Sequence, residues 1–480
     1  MLKFWFITGS QFLYGEETLK TVEADSKKIV EGLKGLPFPV EYKLTAKTAG
    51  EIEDIVRQAN FDEECAGIIT FCHTFSPSKM WINGLTLLQK PWLHLHTQFN
   101  ESIPNEEIDM DYMNLHQSAH GDREHGFIGA RLRAKRTVVA GYWGDPAVQG
   151  KIAEWQRACA GARFSKKLKI VRFGDNMREV AVTEGDKVEA QIMLGWQVNT
   201  WPVGDLVNEM NKVTDEQIDA LMEEYKKLYD FATDDIETVR YQAREEIAIE
   251  AILLKEGAHA FTNTFQDLHG MKQLPGLAAQ HLMHKGYGFG AEGDWKTAGM
   301  EAIIKAMYPG GTSSFMEDYT YDYKQQMILG AHMLEVDPSI AEGKPRIEVH
   351  PLGIGDREPP ARLVFEGKAG KAKALSLIDI GGRLRLIAQD VNCEKPFIDM
   401  PNLPVARAMW RPEPNFYDGL ECWIIAGGAH HTVLSYDVTA QALRDFTRIM
   451  GIELVVIDKA TTPVSLEREL MMSDVIYARR

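Results

Sequence analysis

Short apolar runs alternate with helix-period segments through the first third of the chain. Residues 4–8, 40–44, 66–71, 92–96 and 137–140 read as buried strands, and 16–33, 51–59, 80–88 and 147–160 read as the helices between them. That alternation predicts βαβ units and a parallel sheet. Residues 163–169 read as a linker, after which a second unit opens with a strand at 170–173 and contains two strongly helical segments, 215–229 and 236–256. The second of these is dense in charges at i,i+4 spacing. Pro309-Gly310-Gly311 breaks the helix that ends near Tyr308. From Thr312 the texture changes to strand-like runs at 346–350, 361–365, 374–380, 383–390 and 422–426, and only 440–450 and 465–472 return to helix. The pattern predicts an α/β protein: two Rossmann-like α/β domains, residues 1–167 and 168–311, followed by a β-rich, barrel-like C-terminal domain, residues 312–480.

A chain of 480 residues exceeds what one hydrophobic core organises, which agrees with several domains. The net charge of −16, with no basic run to offset it, disfavours nucleic acid and anionic membrane surfaces as partners and leaves small neutral molecules. No segment carries the roughly 18 consecutive apolar residues of a membrane span. Five scattered cysteines without a C-x-x-C pair argue against a disulfide framework or a thiolate zinc site. A reducing, cytoplasmic location is expected.

Acidic residues and histidines gather in turn-rich places. Glu292 lies in Gly286-Tyr-Gly-Phe-Gly-Ala-Glu-Gly-Asp-Trp295, which reads as an exposed loop too glycine-rich for helix or strand, with Asp294 placed to cap the helix that follows. A solvated loop carboxylate is the ordinary state of such a residue. The same stretch spells G-x-G-x-x-G at Gly288, Gly290 and Gly293, but no apolar strand precedes it and an acid inside the loop would oppose a pyrophosphate, so the dinucleotide signal is weak. Glu317 stands among Met and aromatic residues in Ser313-Ser-Phe-Met-Glu-Asp-Tyr, where a salt bridge or a metal would supply its partner. His332 alone reads as a satisfied core histidine. The paired His430 and His431, after the Gly427-Gly428 turn, read as projecting from the end of a buried strand at 422–426. Carboxylates with imidazoles suit Mn²⁺ or another divalent transition metal, although no metal-ligand spacing such as H-E-x-x-H singles one out.

These segments, together with Ile7-Thr-Gly-Ser-Gln-Phe-Leu-Tyr-Gly15, His73-Thr-Phe-Ser-Pro77, His94-Leu-His-Thr-Gln98, Ser118-Ala-His-Gly-Asp-Arg123 and Thr264-Phe-Gln-Asp267, closely resemble L-arabinose isomerases along the whole chain. The resemblance implies interconversion of an aldose and a ketose, L-arabinose to L-ribulose and also D-galactose to D-tagatose. It implies one Mn²⁺ per subunit, with Co²⁺ as a substitute, held by Glu292, Glu317, His332 and His431. Glu292 and Glu317 would be the proton-transfer pair, and Gln11, Phe75, His120, Met177, Phe265, Met333 and His430 would contact the sugar. It further implies a homo-hexamer in which Phe75 and His120 complete a neighbouring subunit's site. Two departures from the family pattern are a short segment around residues 321–327 and His125, which stands where an aromatic residue is expected at a subunit contact. A metal-assisted hydride shift competes with proton transfer within the same reaction, and a non-catalytic sugar-binding protein and a dinucleotide oxidoreductase compete from outside it.

Overall fold

The computed structural model describes residues 1–354 and 356–477, and the chain forms two compact units. The first comprises Met1–Arg163 and Gln441–Met450; the second comprises Phe164–Ala440 and the chain from Gly451 onward.

In the first unit β1 (Lys3–Gly9), β2 (Val40–Ala46), β3 (Cys65–Cys72), β4 (Trp92–His96) and β5 (Arg136–Ala140) form a parallel sheet of order β2-β1-β3-β4-β5. The inner strands β1, β3 and β4 are apolar in most positions because both faces are covered, whereas the edge strands β2 and β5 carry polar residues and are only partly buried. Phe4, Phe6, Ile69, Phe71, Leu93 and Leu95 pack with Ile29, Leu33, Ile152 and Trp155 on one face. The alternate residues Trp5, Ile7, Ile68 and Trp92 pack with Ile52, Ile55, Trp81 and Ile128 on the other. The helix Ala49–Phe61 begins at a capping box between Thr48 and Glu51. Gln11, Phe75 and Gln98 all follow C-terminal strand ends, the edge where open α/β sheets assemble sites.

The second unit opens with β6 (Lys169–Phe173), β7 (Gln197–Trp201), β8 (Asp230–Phe231), β9 (Ala260–Asn263) and β10 (Gly288–Gly290), of which four form a parallel sheet of order β10-β9-β6-β7. It continues with β11 (Ser313–Asp322), β12 (Met327–Ala331), β13 (Arg346–Val349), β14 (Ala361–Val364), β15 (Gly370–Asp379), β16 (Leu384–Glu394), β17 (Arg407–Pro412), β18 (His431–Ser435) and β19 (Glu453–Ile457). Strands β15-β18-β11-β12-β17-β16 pair antiparallel in that order, and β15 pairs β16, so six strands close into a barrel. β19 adds parallel to β16, while β8, β13 and β14 make a small separate sheet. One continuous core, including Phe261, Phe289, Phe315 and Trp410, runs through the parallel sheet and the barrel.

Four local expectations are corrected. Residues 422–426 are not a strand but the end of a helix, Phe416–Ala426, capped by Asn415 and closed by left-handed Gly427. Gly288–Gly290 is strand rather than loop. The expected linker shrinks to residues 166–168, since the helix Pro146–Ser165 runs into its start and β6 begins at Lys169. In the helix Ile236–Glu256 the ion pairs of Arg240 and Arg244 run to Asp215 and Asp219 of the neighbouring helix rather than along their own.

Candidate metal centre

Glu292 is held by a strained turn. β10 is edge-paired to β9, and its glycines allow the next helix, Trp295–Met307, to sit directly against it: a Cβ at Gly290 would lie 2.3 Å from the Asp294 carbonyl oxygen. The chain reverses at Glu292, whose φ of 60° is left-handed. That conformation costs a residue with a Cβ about 1–2 kcal/mol and marks a position worth a functional reading. The turn is held by Met177 N donating to the Glu292 carbonyl at 2.9 Å and by Gly293 N donating to Asn263 at 2.9 Å. Its side chain is 19% exposed, so it is not the solvated loop carboxylate that the glycine-rich sequence suggests. The three glycines of the G-x-G-x-x-G string serve this packing and turn.

The barrel supplies the other groups. On β11, Glu317 is registered against Ala331 of β12 on one side and His431 of β18 on the other. His332 follows Ala331 directly, so adjacent strands bring Glu317, His332 and His431 to one end of the barrel. His431 opens its strand rather than following one. The hairpin between β11 and β12 pairs Glu317 with Ala331 across a register shift between Asp318 and Thr320, and His332 stands beside Glu317.

Glu292 Oε2 is 3.7 Å from both His430 Nε2 and His431 Nε2, and Glu317 Oε2 is 3.8 Å from His332 Nε2. Two overlapping triads result, Glu292/His332/His431 and Glu317/His430/His431, in each of which the ligand atoms lie within 4.8 Å of one another. The Phe315 ring supports two of the imidazoles edge-on, 5.0 Å from His332 and 5.1 Å from His431.

Each buried imidazole is oriented from behind. His332 Nδ1 meets Glu335 Oε2 at 2.6 Å, and His431 Nδ1 meets Asp294 Oδ2 at 3.2 Å. Asp294 also caps the helix Trp295–Met307, accepting from the amides of Lys296 and Thr297. Carboxylates at Nδ1 place the proton there and turn the Nε2 lone pairs toward the acids, the arrangement that fixes metal-binding histidines. Sequence reasoning missed Glu335 and this second task of Asp294. The only signals were the cap position of Asp294 and the three-residue step from His332 to Glu335.

The electrostatics agree. Burial opposes ionisation of Glu292, but His430, His431 and His332 outweigh it and hold its carboxyl below the usual range. Glu292 in turn raises His430. Burial disfavours protonated His332, yet Glu335, Glu317 and Glu292 raise its pKa overall. Asp294 is held well below the ordinary carboxylate value despite burial, by Lys296 and His431.

A divalent metal fits these residues. His431 Nε2 is buried and has no hydrogen-bond partner, a cost that a metal bond would remove. The 3.7–3.8 Å separations are too long for hydrogen bonds. They fall between the about 3.0 Å and about 4.2 Å that cis and trans ligand atoms span on a cation with bonds of about 2.1 Å. Oxygen and imidazole donors suit a divalent transition metal.

Of the remaining sequence candidates, Met177, Phe265 and Met333 belong to this second unit, and all three are half-buried. Met333 follows His332 in the chain, and Phe265 follows β9. Gln11, Phe75 and His120 belong to the first unit, where the Phe75 and His120 rings stack with centroids 5.1 Å apart. His120 is exposed. His125 is fully buried within that unit, edge-on to Trp81, Trp92 and His94, and is no surface contact.

Comparison with known proteins decides the family. Three family models match in succession: the L-arabinose isomerase N-terminal domain over residues 1–167, the central domain over 169–310 and the C-terminal domain over 312–453. The chain belongs to the L-arabinose isomerase family. L-arabinose isomerase 1 of Bacillus licheniformis is 55% identical, over 99% of this chain and 98% of that protein. The L-arabinose isomerase of Geobacillus stearothermophilus is 54% identical, over 100% of this chain and 99% of its own. That of Bacillus subtilis is 50% identical, over 99% and 98%. Among the described residues no helix is long and apolar enough to cross a membrane.

Proposed function

We propose that this L-arabinose isomerase family member converts L-arabinose to L-ribulose with a divalent metal, Mn²⁺, held by Glu292, Glu317, His332 and His431. The observation that carries the reading is the convergence of two carboxylates on His431 Nε2, a buried imidazole nitrogen left without any other partner. A bound cation would act as a Lewis acid, polarising the sugar carbonyl and its neighbouring hydroxyl.

The chain's own residues supply the proton chemistry. Isomerisation moves the C2 proton of the open-chain aldose to C1 while carbonyl and hydroxyl exchange places. One of Glu292 and Glu317 removes the C2 proton to give a cis-enediol, and the other transfers the hydroxyl proton between O1 and O2. His430, 34% exposed beside Glu292, would contact a sugar hydroxyl, a reading that rests on the family resemblance. Met177, Phe265 and Met333 offer apolar contact to the carbon chain. D-Galactose to D-tagatose is the expected side reaction, and Phe75 and His120 of a neighbouring subunit in a hexamer are the expected closing contacts, both readings resting on the family resemblance.

The test is to strip the purified protein with a chelator and assay ketose formation from L-arabinose, D-galactose and L-fucose, with Mn²⁺, with Co²⁺ and without metal. Restoration by Mn²⁺ with highest turnover on L-arabinose supports the reading. Sugar binding without turnover on any aldose would replace it with a binding protein. Solvent deuterium appearing in the ketose supports the enediol; its exclusion supports a hydride shift.

A further inference from the structure

The first unit holds another convergence of imidazole and carboxylate, made of residues that the isomerase reading leaves without a task. His94 and His96 stand two apart on β4, so both side chains leave the same face of the strand. Asp122, from the helix Ser118–Arg131, meets both: its Oδ2 is 2.6 Å from His94 Nε2 and 2.6 Å from His96 Nδ1. The three donor atoms lie within 4.8 Å of one another. Asp122 is 0% exposed, and its second oxygen, Oδ1, is buried with no hydrogen-bond partner. A fully buried carboxylate with one oxygen unsatisfied is an expensive arrangement unless something of positive charge shares it.

We propose that His94, His96 and Asp122 bind a divalent transition metal of zinc-like preference, which clamps the C-terminal end of β4 to the helix Ser118–Arg131. Two imidazole nitrogens and one carboxylate are a borderline donor set, and three protein ligands leave one position for water. His96, whose side chain is 35% exposed, is the way in from solvent. Binding needs each imidazole to carry its proton on the nitrogen away from Asp122, which for His94 is a buried Nδ1 without a partner, and needs the 2.6 Å contacts to open to about 3.3 Å, the spacing of ligand atoms on a tetrahedral cation with bonds of about 2.0 Å. Burial works against ionised Asp122, but the two histidines outweigh it and hold its carboxyl at about 2, so the anionic ligand is ready. The wall behind is neutral: burial drives His125, edge-on to His94, down to about 3. Arg136, bound to the Gly126 carbonyl and stacked over Trp92, adds positive charge that limits the affinity.

The untagged full chain, stripped by chelator and dialysed against Zn²⁺, is analysed for metal per chain, with Co²⁺ absorption as an independent readout of imidazole ligation and circular dichroism as the check on folding. Wild type is expected to take two equivalents, His96→Gln one, and the double variant His332→Ala/His431→Ala one, which disappears when His96→Gln is added. His94→Gln replaces His96→Gln should the latter fail to fold. One equivalent in wild type that survives His96→Gln, or an unchanged count on losing either histidine of β4, would show the cluster to be hydrogen-bonded only. One equivalent that His96→Gln removes and His332→Ala/His431→Ala does not would uphold this site while failing the metal reading of the isomerase centre.

Discussion

Asp294 joins His431 to the next helix with its two carboxylate oxygens: Oδ2 accepts from His431 Nδ1 at 3.2 Å and from Thr297 Oγ1 at 2.7 Å, while Oδ1 accepts from the first amides of the helix Trp295–Met307. The turn that carries Glu292 is thereby tied to the imidazole that Glu292 faces. Asp294→Asn retains a good helix cap but removes the charge behind the imidazole. The expected result is a Mn²⁺ affinity lower by about 10–100-fold with an unchanged far-ultraviolet spectrum. Equilibrium dialysis against Mn²⁺ with circular dichroism checks it, and unaltered affinity would remove Asp294 from the centre.

Glu292 and Glu317 are nearly isosteric with Gln, so replacement tests charge rather than shape. Each single variant should lose at least about 10³-fold in kcat, since general acid–base groups contribute about 10²–10⁴-fold and metal ligation adds to it. The fold should survive, because Glu292 is held through its backbone and Glu317 through strand pairing on both sides. A variant that keeps near-normal turnover of L-arabinose refutes the assignment.

How much of this was written legibly in the chain depends on where each element finds its partners. β1, β3 and β4 are covered on both faces, so their apolar runs announce them, while the edge strands β2 and β5 are only partly buried. Residues 422–426 are just as apolar and read as a strand, yet they end the helix Phe416–Ala426, whose signals, the Asn415 cap and the Gly427 stop, lie at its ends rather than in its composition. That misreading placed His431 after a strand when it begins one. β18 exists because β11 and β15 flank it, a tertiary fact with little local trace. The ligand residues were found through family resemblance, since residues 292, 317, 332 and 431 have no short spacing to betray them. Glu335 and the dual role of Asp294 needed coordinates, because hydrogen bonds to Nδ1 leave no pattern in a sequence.

Gly293 offers a test of the turn itself. Its φ is 81°, and a Cβ there would lie 2.5 Å from the Asn176 Cα, a backbone neighbour that cannot step aside. Gly293→Ala combines left-handed strain with overpacking of about 1–3 kcal/mol. Activity should fall sharply with a modest drop in melting temperature, because the displaced group is Glu292. Equal activity in Gly293→Ala would show that the turn tolerates movement without moving the carboxylate.

Metal binding should weaken toward acid from a higher pH than free imidazole would give. His332 and His430 both hold their protons more tightly than usual, through Glu335 and Glu292 respectively. A raised histidine pKa means that protons compete with the cation as pH falls through that raised value, and each bound proton must leave before His332 can ligate. The Mn²⁺ dissociation constant, measured against pH, should therefore rise on acidification beginning above the ordinary imidazole value of about 6.5. In Glu335→Gln the onset should shift downward, since the main cause of the raised value at His332 is gone.

Glu245 predicts a stability effect independent of the chemistry. It is fully buried in the helix Ile236–Glu256, receives one hydrogen bond from Gln242 at 2.8 Å, and leaves its other oxygen unpartnered. Burial pushes its carboxyl well above the usual range. The folded protein therefore holds a proton that the unfolded chain releases, so stability falls as pH rises from the ordinary carboxylate value through the raised one. Glu245→Gln keeps the acceptor for Gln242 and removes the ionisation. It should raise stability at alkaline pH by about 1–3 kcal/mol and do little near pH 4, where the carboxyl is protonated in both states. Denaturant unfolding of wild type and variant at acid and alkaline pH checks this. A gain that does not depend on pH would mean that the buried carboxyl is not what makes the wild type yield to alkali.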